Sequence, residues 1–388
     1  MPQLTRRKFL GLSLLSALGM ASPLLSQSST SAAPFKTQTL TPTASPFPPA
    51  TKSMRGLFAL MDANDVSISD ELLAVPYLTG VTLQIDWATL QPSQTIVAWD
   101  AIQNALTRLR AVSKVLALRP LAGIGSPDWL YASPVNAKKF TFTPASDRLH
   151  PLPYGKPVTM PLPWDKAMLA AWTKFVKALG DQFDTEPKLV RVALSGPVFQ
   201  AAEMYLPHYA PLLGEWNVDG YNLGSISDAW EQTIDIYAGA FKKTPFTLDV
   251  NPLPDPQDRT GDTLNSVIPI AIGSYGLRRY PGRFFNAQSD FSDVFPYLAP
   301  PLPGPLKPPA LYESYEMQDG RIYDYIVGAS KDWPFGLTVS QSMMSHATDR
   351  IQALVERAKL LKTTYLEIPA AWAIDPANAD ALQNLFTL

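Results

Sequence analysis

The chain contains no cysteine and only three histidines among its 388 residues. Without cysteine, disulfide bonds and thiolate chemistry are excluded, and the sequence carries no sign of the redox state of its compartment. His150, His208 and His346 stand apart from one another and from closely spaced acids. A catalytic zinc or non-haem iron site needs such ligands close together, so we expect no metal and no cofactor.

An excess of charge is also missing. The 32 Lys and Arg residues nearly balance 34 Asp and Glu residues, for a formal net charge of -2, so no electrostatic case exists for nucleic acid as a partner. The sequence has no Gly-x-Ser-x-Gly elbow for a serine nucleophile and no glycine-rich phosphate loop after a strand-like run. Beyond the N-terminus no long apolar run occurs, which predicts a soluble mature protein without a stable membrane span.

The N-terminus has the pattern of an export signal. Arg6 and Arg7 directly precede an apolar segment, residues 9–25, which is rich in Gly and Ser and is interrupted by Pro23. It is short and weak for a membrane span, which needs about 20 strongly apolar residues. Small residues suited to cleavage stand at Gly19 and Ala21, within this segment, or later at Ser31 and Ala33. The pattern predicts a twin-arginine signal over residues 1–25, the twin-arginine export machinery as a partner, and a periplasmic or extracellular location; the alternative is a buried or membrane-anchoring helix.

Residues 26–52 are rich in Ser, Thr, Pro and Ala and have too few large apolar side chains to offset the entropy of ordering, so we expect a flexible linker. From residue 53 to 388 the composition does not shift again, which predicts one domain. Within it, eight strand-like runs alternate with segments of helical periodicity: residues 55–61, 80–86, 115–123, 189–195, 246–251, 283–288, 335–341 and 364–368. Most are continuous apolar runs, as in parallel strands buried on both faces, so the fold class is α/β and the predicted architecture is a (β/α)8 TIM barrel.

In such a barrel the functional residues lie at the carboxyl ends of the strands. Tryptophans there occur beside carboxylates and amides, a combination suited to sugars, whose C–H faces stack on indole while their hydroxyls need donors and acceptors. We therefore expect a carbohydrate substrate, bound by Asp86, Trp87, Trp129, Gln200, Asn251, Gln288, Glu316 and Trp372. Trp129 follows a turn-forming run, which favours the groove; the rival is a hydrophobic plug formed by residues 129–131.

Four stretches of the sequence carry a resemblance to a known family. The runs GVTLQIDWATLQP, WDAIQNALTRLR and LRPLAGIGSPDWL, and later the segment from LPWDK to SGPVFQAAEM, resemble the barrels of clan A glycoside hydrolases, especially the catalytic domain of family 42 β-galactosidases. The likeness extends over about residues 54–375. It implies that Glu203, after the fourth strand, is the general acid/base, although the family's Asn-Glu pair is absent there and Ala201 and Ala202 precede Glu203.

The second carboxylate of a glycosidase is harder to assign. The resemblance implies that it ends the seventh strand, but the run over 335–341 offers Gln341 and no acid. If ALYESYEMQDG were the true seventh strand, Glu313 would be the nucleophile, and we expect it in that role; Glu316 and Glu367 are the alternatives. Two functions follow: an exported, retaining glycoside hydrolase, or a carbohydrate-binding barrel that has lost its nucleophile.

Overall fold

Eight parallel strands close into a barrel in the computed structural model of the chain. The structure describes residues 54–143, 155–207, 210–257, 264–291, 315–329, 333–339 and 348–385. The segments predicted as signal peptide and linker, residues 1–25 and 26–52, lie outside them.

The strands are β1 (Gly56–Leu60), β2 (Gly80–Asp86), β3 (Val115–Leu121), β4 (Lys139–Phe142), β5 (Val158–Pro161), β6 (Leu189–Ala193), β7 (Phe246–Asp249), β8 (Leu253–Pro254), β9 (Leu264–Asn265), β10 (Phe284–Phe291), β11 (Gly336–Val339) and β12 (Tyr365–Pro369). The barrel has the order β1-β2-β3-β6-β7-β10-β11-β12 and closes through β12 and β1. Its eight strands are those predicted from the apolar runs, which confirms the (β/α)8 architecture. β4 with β5, and β8 with β9, form two small antiparallel sheets inserted in loops.

The helices are α1 (Asp70–Ala74), α2 (Trp87–Leu90), α3 (Asp100–Ala111), α4 (Lys166–Phe183), α5 (Ala210–Val218), α6 (Leu223–Ala240), α7 (Val267–Arg279), α8 (Tyr315–Ala329), α9 (Thr348–Leu361), α10 (Ala370–Ile374) and α11 (Ala379–Gln383). Short 3-10 helices span Gly123–Gly125, Asp128–Tyr131 and Pro376–Asn378. None of the helices in the described ranges is both long and apolar enough to cross a membrane.

Helix α4 shows how local sequence builds the outer layer. The Asp165 side chain caps its first turn by accepting a hydrogen bond from the backbone N–H of Met168 at 2.9 Å. Trp172, Phe175 and Leu179 recur at helical spacing and are buried. Because these residues share one face, the helix packs its apolar side against the barrel and leaves its lysines outside.

The middle of the barrel holds charge as well as apolar side chains. Arg119 of β3 and Arg191 of β6 both donate to the carboxylate of Glu367 on β12. Arg119 also pairs with Asp249 of β7 at 2.8 Å, and all four side chains are at most 5% exposed. The Arg191 guanidinium stacks on the ring of Tyr365, 3.8 Å from its centroid. Two cations and two anions thus neutralise one another in a layer that apolar side chains usually fill.

Candidate active site

Glu203 lies at the carboxyl end of the barrel because the loop after β6 folds back onto β7. An isolated parallel β-bridge joins Glu203 to Asp249, and the backbone N–H of Met204 donates to the Asp249 carbonyl at 3.0 Å. The loop therefore continues the pairing of the barrel beyond β6. This pairing carries the Glu203 side chain into the mouth formed by the strand ends.

The Glu203 carboxylate is held by two side chains, one from the segment just after β7 and one from β10. Its Oε2 accepts hydrogen bonds from Nδ2 of Asn251, at 3.1 Å, and from the hydroxyl of Ser289. Glu203 is 8% exposed, so part of the residue still reaches the surface. The structure thus brings together two of the residues singled out in the sequence, Glu203 and Asn251, and adds Ser289. Gln200, in the same loop, is half-buried.

Gln288 does not take the position expected for it. Phe285 and Ala287 belong to the apolar cluster inside the barrel, whereas Asn286 contacts Tyr325 of α8 on the outside. Since strand side chains alternate, Gln288 falls on the side of Asn286 and Ser289 on the inner side. Ser289, which sequence reasoning missed, is therefore the residue that reaches Glu203.

Asp86, at the end of β2, is bound by Asn64 from the loop after β1. Asn64 donates from Nδ2 to Oδ2 of Asp86 at 2.7 Å and accepts from the Asp86 backbone N–H at 2.9 Å. Burial raises the pKa of Asp86, and the hydrogen bond from Asn64 opposes that rise. Gly125 lies so close that an added Cβ would stand 2.5 Å from Oδ1 of Asp86. The loop after β3 thus needs glycine to pass Asp86.

The tryptophans at the strand ends differ in exposure. Trp87 is fully buried among Trp129, Trp172 and Phe175, and its indole N–H donates to Gln91, so it has no free face for a sugar and the expectation for it is wrong. Its ring packs against α4 in the outer layer. Trp129 is half-buried, with its ring edge-on to Trp87 and its N–H donating to the Gln91 carbonyl at 2.9 Å.

Trp372, in α10, is 3% exposed and borders a cavity of about 470 Å³ between the ends of β1 and β12. The polar lining of this cavity comes from Asp62, Asp65 and Ser67, among others. Trp372 thus lines one side of the cavity, and the rest of the residue is buried. Of the three tryptophans predicted to bind sugar, Trp129 is therefore the most exposed.

The structure corrects the alternative placement of the seventh strand. β11 (Gly336–Val339) is the seventh strand of the barrel, and Glu316 lies in the first turn of helix α8. The run that contains Glu316 is therefore not the seventh strand. Glu313 and Gln341 lie outside the described residues, so the nucleophile role of Glu313 stays a prediction.

Glu367, the remaining alternative, is fully buried in the middle of the barrel. Its two carboxylate oxygens accept from Arg119 and Arg191, and the hydroxyls of Thr82 and Thr338 donate to it at 2.6 and 2.7 Å. Glu367 is an ion-paired core residue.

Sequence reasoning missed the arginines of this network and Asp249. A signal was available, because Arg119 and Arg191 each interrupt an otherwise apolar run that reads as a buried strand. Burial lowers the pKa of Arg191 to about 10, which leaves the guanidinium charged near neutral pH. No group of three or more His, Asp or Glu side chains within the described ranges is arranged to hold a metal ion.

Comparisons with known proteins identify the fold. No family model matches the chain, and no curated protein matches it in sequence. A β-galactosidase from the Antarctic haloarchaeon Halorubrum lacusprofundi superposes with a TM-score of 0.52 at 12% identity, covering 85% of this chain and 58% of that one. The chain shares its barrel fold with a glycoside hydrolase.

Two further solved structures are also glycoside hydrolases. Endo-glycoceramidase II from Rhodococcus sp. has a TM-score of 0.49 at 12% identity, covering 87% of this chain and 81% of that one. A psychrophilic family 10 endo-β-1,4-xylanase has a TM-score of 0.47 at 9% identity, covering 85% and 96%.

Proposed function

We propose that this protein is an exported glycoside hydrolase that cleaves O-glycosidic bonds of an oligo- or polysaccharide, with Glu203 as general acid/base. The observation that carries the proposal is the placement of the Glu203 carboxylate. It lies at the mouth of the barrel, is fixed by Asn251 and Ser289, and remains partly exposed. The family 42-like sequence runs around it support the same role.

The chemistry of glycoside hydrolysis explains why such a carboxyl group is useful. One carboxyl protonates the departing glycosidic oxygen, and a second either attacks the anomeric carbon or activates water. A hydrogen-bonded, nearly buried Glu203 keeps one geometry and is screened from bulk water, which suits the first role. Glu313 remains the proposed second carboxylate, and retention of configuration would follow from a separation of about 5 Å between the two carboxyl groups.

The mouth around Glu203 offers groups that suit a polyhydroxylated substrate. Asp86 and Gln200 are partly exposed there, and Trp129 presents part of an indole. Carboxylates and amides bind hydroxyl groups, and indole packs on sugar C–H faces. We propose that these three residues bind substrate.

A second candidate, a carbohydrate-binding barrel without catalysis, is favoured by one observation. Apart from Glu203, the carboxylates described around the barrel axis already have partners: Asp249 and Glu367 are paired with arginine, and Asp86 is bound to Asn64. A binding protein needs no second free carboxylate, whereas a hydrolase needs one from a segment such as that of Glu313.

Hydrolysis of a panel of aryl glycosides and polysaccharides tests the proposal. Activity on at least one substrate is expected, and Glu203→Gln should lower it at least about 100-fold while the protein stays folded. Glu215→Gln, which alters an exposed glutamate of α5, is the matched control and should leave activity unchanged. Binding of a sugar without turnover would favour the second candidate, and full activity of Glu203→Gln would refute the acid role.

Export has its own test. We propose that Arg6 and Arg7 direct the folded chain through the twin-arginine route to the periplasm or beyond. Replacing both with lysine should leave the precursor inside the cell, whereas undiminished export of that variant would rule this route out.

A further inference from the structure

The carboxyl groups of Glu203 and Asp249 are neighbours by backbone pairing. Residues joined by a parallel bridge lie on strands about 4.8 Å apart, and their side chains leave the pair on the same side. Asn251, two residues beyond Asp249, also reaches the Glu203 carboxylate. Asp249 therefore lies beside Glu203 and one step deeper in the barrel than Asn251.

The hydrogen bonds of Asp249 are incomplete. Its Oδ2 accepts from Nη1 of Arg119 at 2.8 Å, but its Oδ1 is buried and has no hydrogen-bond partner among the described atoms. Asp249 itself has no exposed surface. A buried carboxylate oxygen without a donor is unfavourable, and a proton on one of two adjacent carboxyl groups supplies the missing donor.

The balance of charge favours the same proton. Glu203, Asp249 and Glu367 are three carboxyl groups, whereas the ion pairs described there come from two cations, Arg119 and Arg191, and join them to Asp249 and Glu367. With all groups ionised, the cluster holds one excess negative charge at low exposure. One proton makes it neutral.

Some of the groups around Asp249 raise its pKa and others lower it. The ionisable groups that face it are Arg119 from β3, Arg191 from β6, Glu203 from the following loop and Tyr365 from β12. Burial, foremost, and the nearby Glu203 raise the pKa of Asp249, while Arg119 and Arg191 lower it. The net direction for the pKa of Asp249 is upward, which favours a proton on that carboxyl group.

We propose that Asp249 is a positioning residue for Glu203 and that the two carboxyl groups share one proton. This proton lies between Glu203, at the mouth of the barrel, and Asp249, which is paired with Arg119 of the buried cluster. Its use as the acid in glycoside cleavage rests on the proposed function, whereas the sharing rests on geometry and charge alone.

Carbon-13 NMR of the full chain, labelled at the Asp and Glu carboxyl carbons, tests the proposal without a substrate. Near neutral pH the wild type should show one protonated carboxyl in this pair. Glu203→Gln should abolish that signal, because the new amide donates to Asp249 and leaves it ionised against Arg119. Asp249→Asn should abolish it as well.

Asp86→Asn is the matched control, because Asp86 is another partly buried carboxyl at the mouth whose pKa is raised. The shared-proton signal should persist in it. A wild type with no protonated carboxyl, persistence of the signal in Glu203→Gln, or its loss in Asp86→Asn would overturn the proposal. Glu203 is near the surface, so its variant decides the matter even if Asp249→Asn fails to fold.

Discussion

Asn251 donates a hydrogen bond to Glu203 across 48 positions of sequence, at 3.1 Å from its Nδ2 to Oε2 of the carboxylate. The contact exists because the loop after β6 pairs Glu203 with Asp249 of β7, which brings Asn251, two residues further on, within reach of the Glu203 carboxylate. A hydrogen bond to a carboxyl oxygen fixes the direction in which the group points. The consequences of this contact, and of three others, can be measured.

Asn251→Ala should lower kcat/KM about 10- to 100-fold on whichever glycoside the protein hydrolyses. This range corresponds to losing a hydrogen bond to a charged group, about 1.5–3 kcal/mol. Steady-state kinetics would measure it. Asn217→Ala, which removes an exposed amide that donates to the Pro256 carbonyl, is the control. An unchanged kcat/KM in Asn251→Ala would show that Asn251 does not support catalysis.

Glu367→Gln should lower the free energy of unfolding by about 3–5 kcal/mol, since it leaves two buried guanidinium groups without their shared anion. Asp70→Asn is the matched control: Asp70 pairs with Arg108 on the surface, where such a pair contributes at most about 1 kcal/mol. Urea unfolding measures both. Equal effects of the two substitutions would contradict the structural role of the buried network.

Asp86 should give stability a pH dependence of known sign. Because its pKa is raised in the folded state, its contribution is fully present below the unfolded value, about 3.9, and is lost as the pH rises through the folded value. The free energy of unfolding of the wild type minus that of Asp86→Asn should therefore fall as the pH increases from about 4.

Asn64→Gly provides a second test of how Asp86 makes the free energy of unfolding depend on pH. Asn64 has a positive φ of 64°, which glycine adopts without strain, so this variant mainly removes the hydrogen bond that holds the pKa of Asp86 down. In this variant the contribution of Asp86 to the free energy of unfolding should therefore fall more steeply as the pH rises. Denaturant titrations over a pH series measure both slopes, and a difference that rises with pH would contradict the assignment.

Trp129→Ala should lower the free energy of unfolding by about 1–3 kcal/mol, because the indole is half-buried against Trp87 and donates to the Gln91 carbonyl. If Trp129 also lines the sugar groove, the affinity for substrate should fall as well. Trp129→Phe separates the effects, since it keeps a ring for stacking and loses the hydrogen bond. Unaltered sugar affinity in both variants would make Trp129 a plug residue only.

The sequence alone was sufficient for the barrel and for much of its outer layer. The strands are continuous apolar runs and the face of α4 repeats at helical spacing, and both signals depend on residues close together along the chain. The position of Glu203 after the fourth barrel strand was also readable, because a parallel barrel gathers such ends at one face.

The environment of each side chain was decided only by closure of the barrel. Glu367 and Arg119 are 248 positions apart, and nothing local indicates that they form an ion pair. Trp87 and Trp129 both follow the end of a barrel strand, so the sequence does not distinguish them. Only the packing of Trp87 against α4 shows that its ring is enclosed. Ser289, and not the predicted Gln288, contacts Glu203. Side chains alternate along a strand, so only one of two adjacent residues points into the barrel. Which one faces inward depends on contacts from distant parts of the chain.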